Sequence, residues 1–225
     1  MQLHSFGDAN LLVTDLVFQL KHLLLDAIAR RGHAYLVVSG GKTPAALFQA
    51  LSKAILPWDK VTITLADERC VPLNDDNRNE RMVRQLLLQH EAKGAHLLSL
   101  YSESDPDLRH VEQEISALPT FDAVILGMGD DGHTASLFPS ANELNLGLDE
   151  NAPAVLLVNP KTTPHQRVSL SKRRLLDSRV IFLHLEGQNK LAVLHQAMAQ
   201  PDPMIMPISA FLNSPQANVQ VMYAP

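Results

Sequence analysis

The sequence predicts an α/β fold with a mostly parallel sheet and helices on both faces. Three observations carry this reading. Short β-rich apolar runs alternate with helix-period segments along the chain. The run Ala123-Val124-Ile125-Leu126 is apolar without alternation, the pattern of a strand buried on both faces. The strands also lead into glycine-rich or charged loops, and open α/β sheets place their ligands beyond the carboxyl ends of their strands.

Residues 8–31 carry Leu12, Leu16, Leu20, Leu23, Leu24 and Ala27 at helical spacing and read as an amphipathic helix ending near Gly32. Residues 35–38 and 61–65 read as strands, each followed by a polar loop and a helical pattern, at 43–54 and 79–91. Further strands are expected at 96–100, 122–126, 154–158, 180–185 and 218–223, with helices at 107–118 and 187–199. Residues 142–153 read as loop, and the proline-rich 200–215 as irregular with a short helical turn. With no internal repeat and no linker, residues 1–225 are expected to form a single domain.

Composition narrows the function. Apolar residues make up 46% and charged residues 19%, which suits a chain that folds around one sizeable core. No run approaches the ~20 apolar residues of a membrane span. The N-terminus lacks a basic n-region, and Asp15, Gln19, Lys21 and Asp26 interrupt its leucines, so no signal peptide is expected. The single cysteine, Cys70, cannot form an internal disulfide and suits a reducing, cytoplasmic setting. A net charge of −5 argues against nucleic-acid binding. An anionic ligand would need locally concentrated cations. The sequence leaves monomer or dimer open.

Three loops carry candidate chemistry. In Ser39-Gly40-Gly41-Lys42-Thr43-Pro44, Thr43 reads as an N-cap and Pro44 as the first helical residue. Gly40, Gly41, Lys42 and Thr43 would then present free helix amides to an anion, the alternative being a plain capped helix. A nucleotide P-loop is excluded, because position 36 is leucine where that motif needs glycine. Asp67-Glu68-Arg69-Cys70-Val71-Pro72 reads either as an ion-pair cluster or as a loop whose Arg69 forks a phosphate. Cys70 reads as a packing residue. Arg167 is a second candidate anion-binding arginine, and Lys190 opens a helix where a cation is mildly unfavourable without a partner.

The third loop follows the apolar run as Gly127-Met128-Gly129-Asp130-Asp131-Gly132-His133. In extended backbone, residues two apart share a face, so Asp131 is placed to orient the imidazole of His133. Histidine is the natural general base near neutrality, its unperturbed pKa being ~6.5. Asp-x-His supplies two metal ligands and no cluster supplies the rest, so neither metal nor cofactor is expected. No Gly-x-Ser-x-Gly elbow is present.

With these motifs in this order, the chain resembles the 6-phosphogluconolactonase family, within the wider glucosamine-6-phosphate isomerase/deaminase superfamily. The resemblance rests on residues 39–44, 67–72, 127–139 and 167–170 and on the Gly187-x-x-Lys190 turn. It implies a Rossmann-like three-layer α/β/α fold and hydrolysis of 6-phospho-D-glucono-1,5-lactone in the oxidative pentose phosphate pathway. It also implies His133 as the base beside Asp131, with Arg69 and Arg167 among the groups that hold this sugar phosphate lactone. Two positions depart from the family pattern: Cys70 replaces an aromatic or bulky residue, and Arg78-Asn79 replaces Ser-Asn. In the inferred mechanism His133 deprotonates a water that attacks the lactone carbonyl. The alternatives are a glucosamine-6-phosphate deaminase or isomerase, from which Arg69 and the Thr134–Pro139 continuation depart, and a non-enzymatic sugar-phosphate sensor.

Overall fold

In the computed structural model, which describes all 225 residues, the chain begins with strand β1 (Gln2–Ser5) and the long helix α1 (Ala9–Arg31). There follow β2 (Ala34–Val38), α2 (Ala45–Leu51), β3 (Val61–Leu65), the short strand β4 (Asp67–Arg69), α3 (Asn79–Leu86) and β5 (His96–Leu97). Next come α4 (Arg109–Ala117), β6 (Ala123–Leu126), α5 (Leu144–Leu148), β7 (Val155–Val158), β8 (Arg167–Leu170) and α6 (Lys172–Leu176). The chain ends with β9 (Ile181–Glu186), α7 (Gln188–Ala199), α8 (Ser209–Leu212) and β10 (Val219–Ala224).

Seven strands form one sheet in the order β1-β10-β9-β6-β2-β3-β5, and every neighbouring pair in it is parallel. Helices cover both sides, giving the α/β/α layering. The central strands are wholly apolar because both faces are covered: Ala123, Val124, Ile125 and Leu126 are all buried. They belong to a continuous core of 55 buried apolar residues. Helix α1 contributes Leu12, Leu16, Leu20, Leu24 and Ala27 from one stripe. The Asp8 carboxylate caps it by accepting from Leu11 N (2.9 Å), and Gly32, at φ 78°, closes its far end.

The parallel register aligns the carboxyl ends of β2, β6 and β9 along one edge, with Val37 opposite Val124 and Val124 opposite Ile181. A second, antiparallel sheet of three strands, β4-β8-β7, stands beyond that edge. Its register sets Asp67 against Ser169, Glu68 against Val168 and Arg69 against Arg167.

The structure corrects several expectations. Helix α2 starts at Ala45 with Pro44 at the cap position and no side-chain cap, so Thr43 is not the N-cap. The strand expected at 154–158 is β7, and it joins the antiparallel sheet. Strand β1 lies within residues not read as strand; it is short and exposed, so it lacks the apolar signal. Segment 142–153 contains α5, whose Gly147 lets Leu137 and Leu156 approach its backbone. Only His96 and Leu97 pair within 96–100.

The charged strand β4 is explained by Glu68. Its carboxylate is fully buried and accepts from the backbone amides of Arg69 (2.6 Å), Asn79 (2.8 Å) and Glu80 (2.7 Å). Two of these are free amides at the start of α3, so Glu68 caps that helix from another element. The guanidinium of Arg78, also buried, lies 3.2 Å from Glu68 and 2.9 Å from Glu80, and its Nη2 donates to Tyr101 O. Arg78 is therefore a structural cation at this position. Burial pushes the Glu68 carboxyl from the ordinary 4.5 up to about 7, against the pull of the three amides and Arg78.

Glu68→Ala should cost about 3–5 kcal/mol in urea denaturation, because it leaves the buried amides of Arg69, Asn79 and Glu80 unpaired and removes one of the two carboxylates that face Arg78. Asp26→Ala, which breaks the exposed Arg30–Asp26 pair, should cost less than about 1 kcal/mol. Glu68 also has a pH signature. With its folded pKa above the unfolded one, its contribution is present below pH 4.5 and is lost as pH rises through about 7. Glu68→Gln should remove that part of the slope.

Candidate active site

Strand β6 delivers its chain into a turn built on glycines. Gly129 N donates to His133 O (2.8 Å) and Gly132 N to Gly129 O (3.1 Å), which folds residues 129–133 back on themselves. Gly132 takes φ 75°, in the left-handed region that glycine enters without strain. Within the turn, Asp131 Oδ1 accepts from His133 N (3.1 Å) and lies 2.5 Å from His133 Nδ1. That contact places the imidazole proton on Nδ1 and leaves Nε2, which has no protein partner, as an acceptor. The ring rests on Phe138, with centroids 4.2 Å apart. Burial works against the Asp131 charge, but the hydrogen bond and charge of His133 outweigh it and hold the carboxyl below the usual aspartate range. Position 129 admits no side chain: a Cβ there would stand 2.0 Å from His133 Nδ1 and 2.7 Å from Asp131 Oδ1.

His133 opens onto a cleft of about 320 Å³ that is also lined by Gly40, Gly41, Lys42, Thr43, Arg69, Arg167 and Lys190. Asp131 stands behind His133 rather than on the wall. The loop after β2 is tied down by Ser39 Oγ, which donates to Ile125 O (2.9 Å). Gly40 lies under the Asn79 side chain, so close that a Cβ would fall 2.0 Å from Asn79 Oδ1, while Asn79 Nδ2 donates to Asp67 O (2.9 Å). The amides of Gly41, Lys42 and Thr43 have no partner within the protein, nor does the Thr43 hydroxyl, and Lys42 makes no ion pair. Free amides beside a free ammonium form a cradle for an anion.

Across the cleft, Arg69 and Arg167 are directly opposed on β4 and β8. Like charges in register destabilise a strand pair unless an anion lies between them. Each arginine also keeps a buried Nε with no partner. Arg69 Nη1 donates to Asn77 O (2.6 Å), and Arg167 Nη2 bonds weakly to Pro164 O (3.2 Å). Burial first, and the Arg69 charge second, lower the Arg167 pKa. The ammonium of Lys190 is 2.5 Å from Asp130, which holds it at the cleft rim.

Asp67, from the charged loop, and the His184–Glu186 pair, which the sequence did not single out, complete the walls. Asp67 takes the Ser136 hydroxyl (2.6 Å), and His184 Nε2 lies 2.9 Å from Glu186 Oε1. Two polar residues spaced by one in the apolar run Ile181–Glu186 were the available signal. Cys70 is half-buried, and burial pushes its thiol up to about 11, which makes it inert near neutrality. No three His, Cys, Asp or Glu side chains converge as metal ligands, and no helix is long and apolar enough to cross a membrane.

The model of the family described as glucosamine-6-phosphate isomerases/6-phosphogluconolactonase matches residues 7–221. The chain belongs to this family. Among its relatives, the 6-phosphogluconolactonase of Pseudomonas putida is 38% identical over 219 residues, covering 96% of this chain and 90% of that one. That of Mesorhizobium japonicum is 39% identical, covering 99% of this chain and 94% of that one. The crystal structure of a 6-phosphogluconolactonase from Shewanella baltica superposes with a TM-score of 0.97 at 41% identity, covering 100% of this chain and 98% of that one.

If Arg69 and Arg167 grip an anion, inorganic phosphate should raise the melting temperature of the protein with concentration. The rise should shrink in Arg69→Ala and in Arg167→Ala. An equal rise in all three proteins would make both arginines structural only.

Proposed function

We propose that this member of the family hydrolyses 6-phospho-D-glucono-1,5-lactone to 6-phospho-D-gluconate in the oxidative pentose phosphate pathway, in the cytoplasm. The observation that carries this reading is a carboxylate-held imidazole with a free Nε2, facing a cleft whose opposite wall presents two opposed arginines. The 6-phosphate sits between Arg69, Arg167 and the amide cradle at Lys42, with Lys190 at the rim. Held there, the lactone carbonyl is presented to His133.

His133 Nε2 takes a proton from a water as the water oxygen bonds to the carbonyl carbon. Asp131 stabilises the imidazolium that forms and fixes its orientation. When the tetrahedral adduct collapses, the bond from the carbonyl carbon to the ring oxygen breaks. The imidazolium returns its proton to that oxygen, and the new carboxylic acid ionises to solvent. General-base assistance contributes about 10²–10⁴-fold, and positioning by the phosphate grip supplies the rest.

Purified protein should accelerate proton release from fresh 6-phosphogluconolactone above the spontaneous rate, in proportion to its concentration, and should release no ammonia from glucosamine 6-phosphate. Ammonia release would favour the deaminase reading, and a rate equal to the blank would favour the sensor. His133→Ala should lower kcat at least ~10²-fold while product binding persists. Gly129→Ala should match it, because the added methyl displaces the imidazole. Asp131, held below the usual aspartate range, stays ionised near neutrality.

A further inference from the structure

Strand β9 ends beside the His133 loop and carries a polar pair that the mechanism above does not use. His184 and Glu186 are two residues apart, share one face of the sheet and both line the cleft. The His184 side chain is 2% exposed, and its Nε2 lies 2.9 Å from Glu186 Oε1. Its Nδ1 is enclosed without a partner. The imidazole is therefore neutral, with its proton on Nε2, and burial lowers its pKa, which favours the same form. The Glu186 side chain is 31% exposed, and its Oε2 accepts no hydrogen bond from the protein.

A carboxylate on the wall of a cleft that captures a phosphate opposes the ligand's charge. It is tolerated where it accepts a hydrogen bond that the ligand supplies. The nearby cation does not neutralise it, because the Lys190 ammonium is bound to Asp130. A purely structural imidazole would be expected to satisfy both nitrogens. Here one nitrogen is left unpaired while the other fixes a carboxylate at the cleft wall.

On the lactonase reading, the ligand carries free hydroxyls on its ring carbons. We infer that Glu186 accepts a hydrogen bond from one of these hydroxyls and so reads the hydroxyl pattern of the sugar, with His184 as the residue that positions it.

The test compares kcat/KM on 6-phosphogluconolactone with that on its 2-deoxy, 3-deoxy and 4-deoxy analogues. Glu186→Ala should lose about 10- to 100-fold on the parent lactone, the scale of one hydrogen bond to a charged group. It should lose almost nothing further on the one analogue that lacks the hydroxyl Glu186 reads. Glu186→Gln, which keeps the side-chain volume, should show the same selectivity in weaker form. His184→Leu should reproduce the pattern, and His184→Gln, which retains an N–H donor, should restore part of it. Equal losses on all four substrates, or no loss on any, would overturn the inference. A wild type inert toward the parent lactone would remove the lactonase reading as well, whereas an active wild type with uniform losses would remove only the role of Glu186.

Discussion

A single buried carboxylate joins the arginine wall of the cleft to its glycine loop. Glu68 has no contact with water and must find its partners inside the protein. It takes the amides of Arg69, Asn79 and Glu80 and the charge of Arg78. Satisfying it fixes three things together. The backbone of Arg69 is set on β4, helix α3 is started at Asn79, and the Asn79 side chain is placed over Gly40. The arginine wall and the glycine loop are thus referenced to one point, although Gly40 and Glu68 are 28 positions apart in the chain. Precision in the cleft depends on that carboxylate more than on the loops themselves.

The His133 turn is a separate solution to a similar problem. It is positioned by β6 and by bonds within residues 127–134, including Thr134 Oγ1 to Gly127 O at 2.8 Å. The absence of a side chain at position 129 lets Asp131 and His133 meet across so short a span. The imidazole is therefore held mainly by local backbone geometry, with Ile208 N donating to Gly132 O (2.9 Å) from outside the turn, whereas Arg69 and Arg167 are set by long-range strand pairing.

That difference explains what could be read in the sequence. Strands β2, β3, β6, β9 and β10 are apolar runs, and burial between helices makes such runs legible. Strands β4 and β8 are Asp-Glu-Arg and Arg-Val-Ser-Leu, whose extended form follows from pairing with each other and not from propensity. Strand β7 was readable as a strand, but nothing local says which sheet it joins. The candidate loops were visible because each follows a strand end, and the parallel register then gathers strand ends at one edge. Asp67 was visible as part of a charged loop, but not its bond to Ser136. The His184–Glu186 pair, inside an apolar run, looks like strand residues, and only the cleft gives it a face. Arg78 could not be placed from the sequence either, since of its partners only Glu80 is a near neighbour, while Glu68 and Tyr101 are 10 and 23 residues away.

The two sheets also divide the labour. The parallel sheet carries the imidazole, and the antiparallel one carries the opposed guanidinium pair. The two are joined at Ser136, three residues beyond His133, whose hydroxyl donates to Asp67 on β4 (2.6 Å) and whose amide donates to Ser169 on β8 (3.1 Å). A substitution at Asp67 or Ser169 therefore reaches the segment that carries the imidazole, whereas the side chains of Arg69 and Arg167 make no hydrogen bond to it. One architecture serves both sugar-phosphate isomerisation and lactone opening, the two activities joined in the family's name.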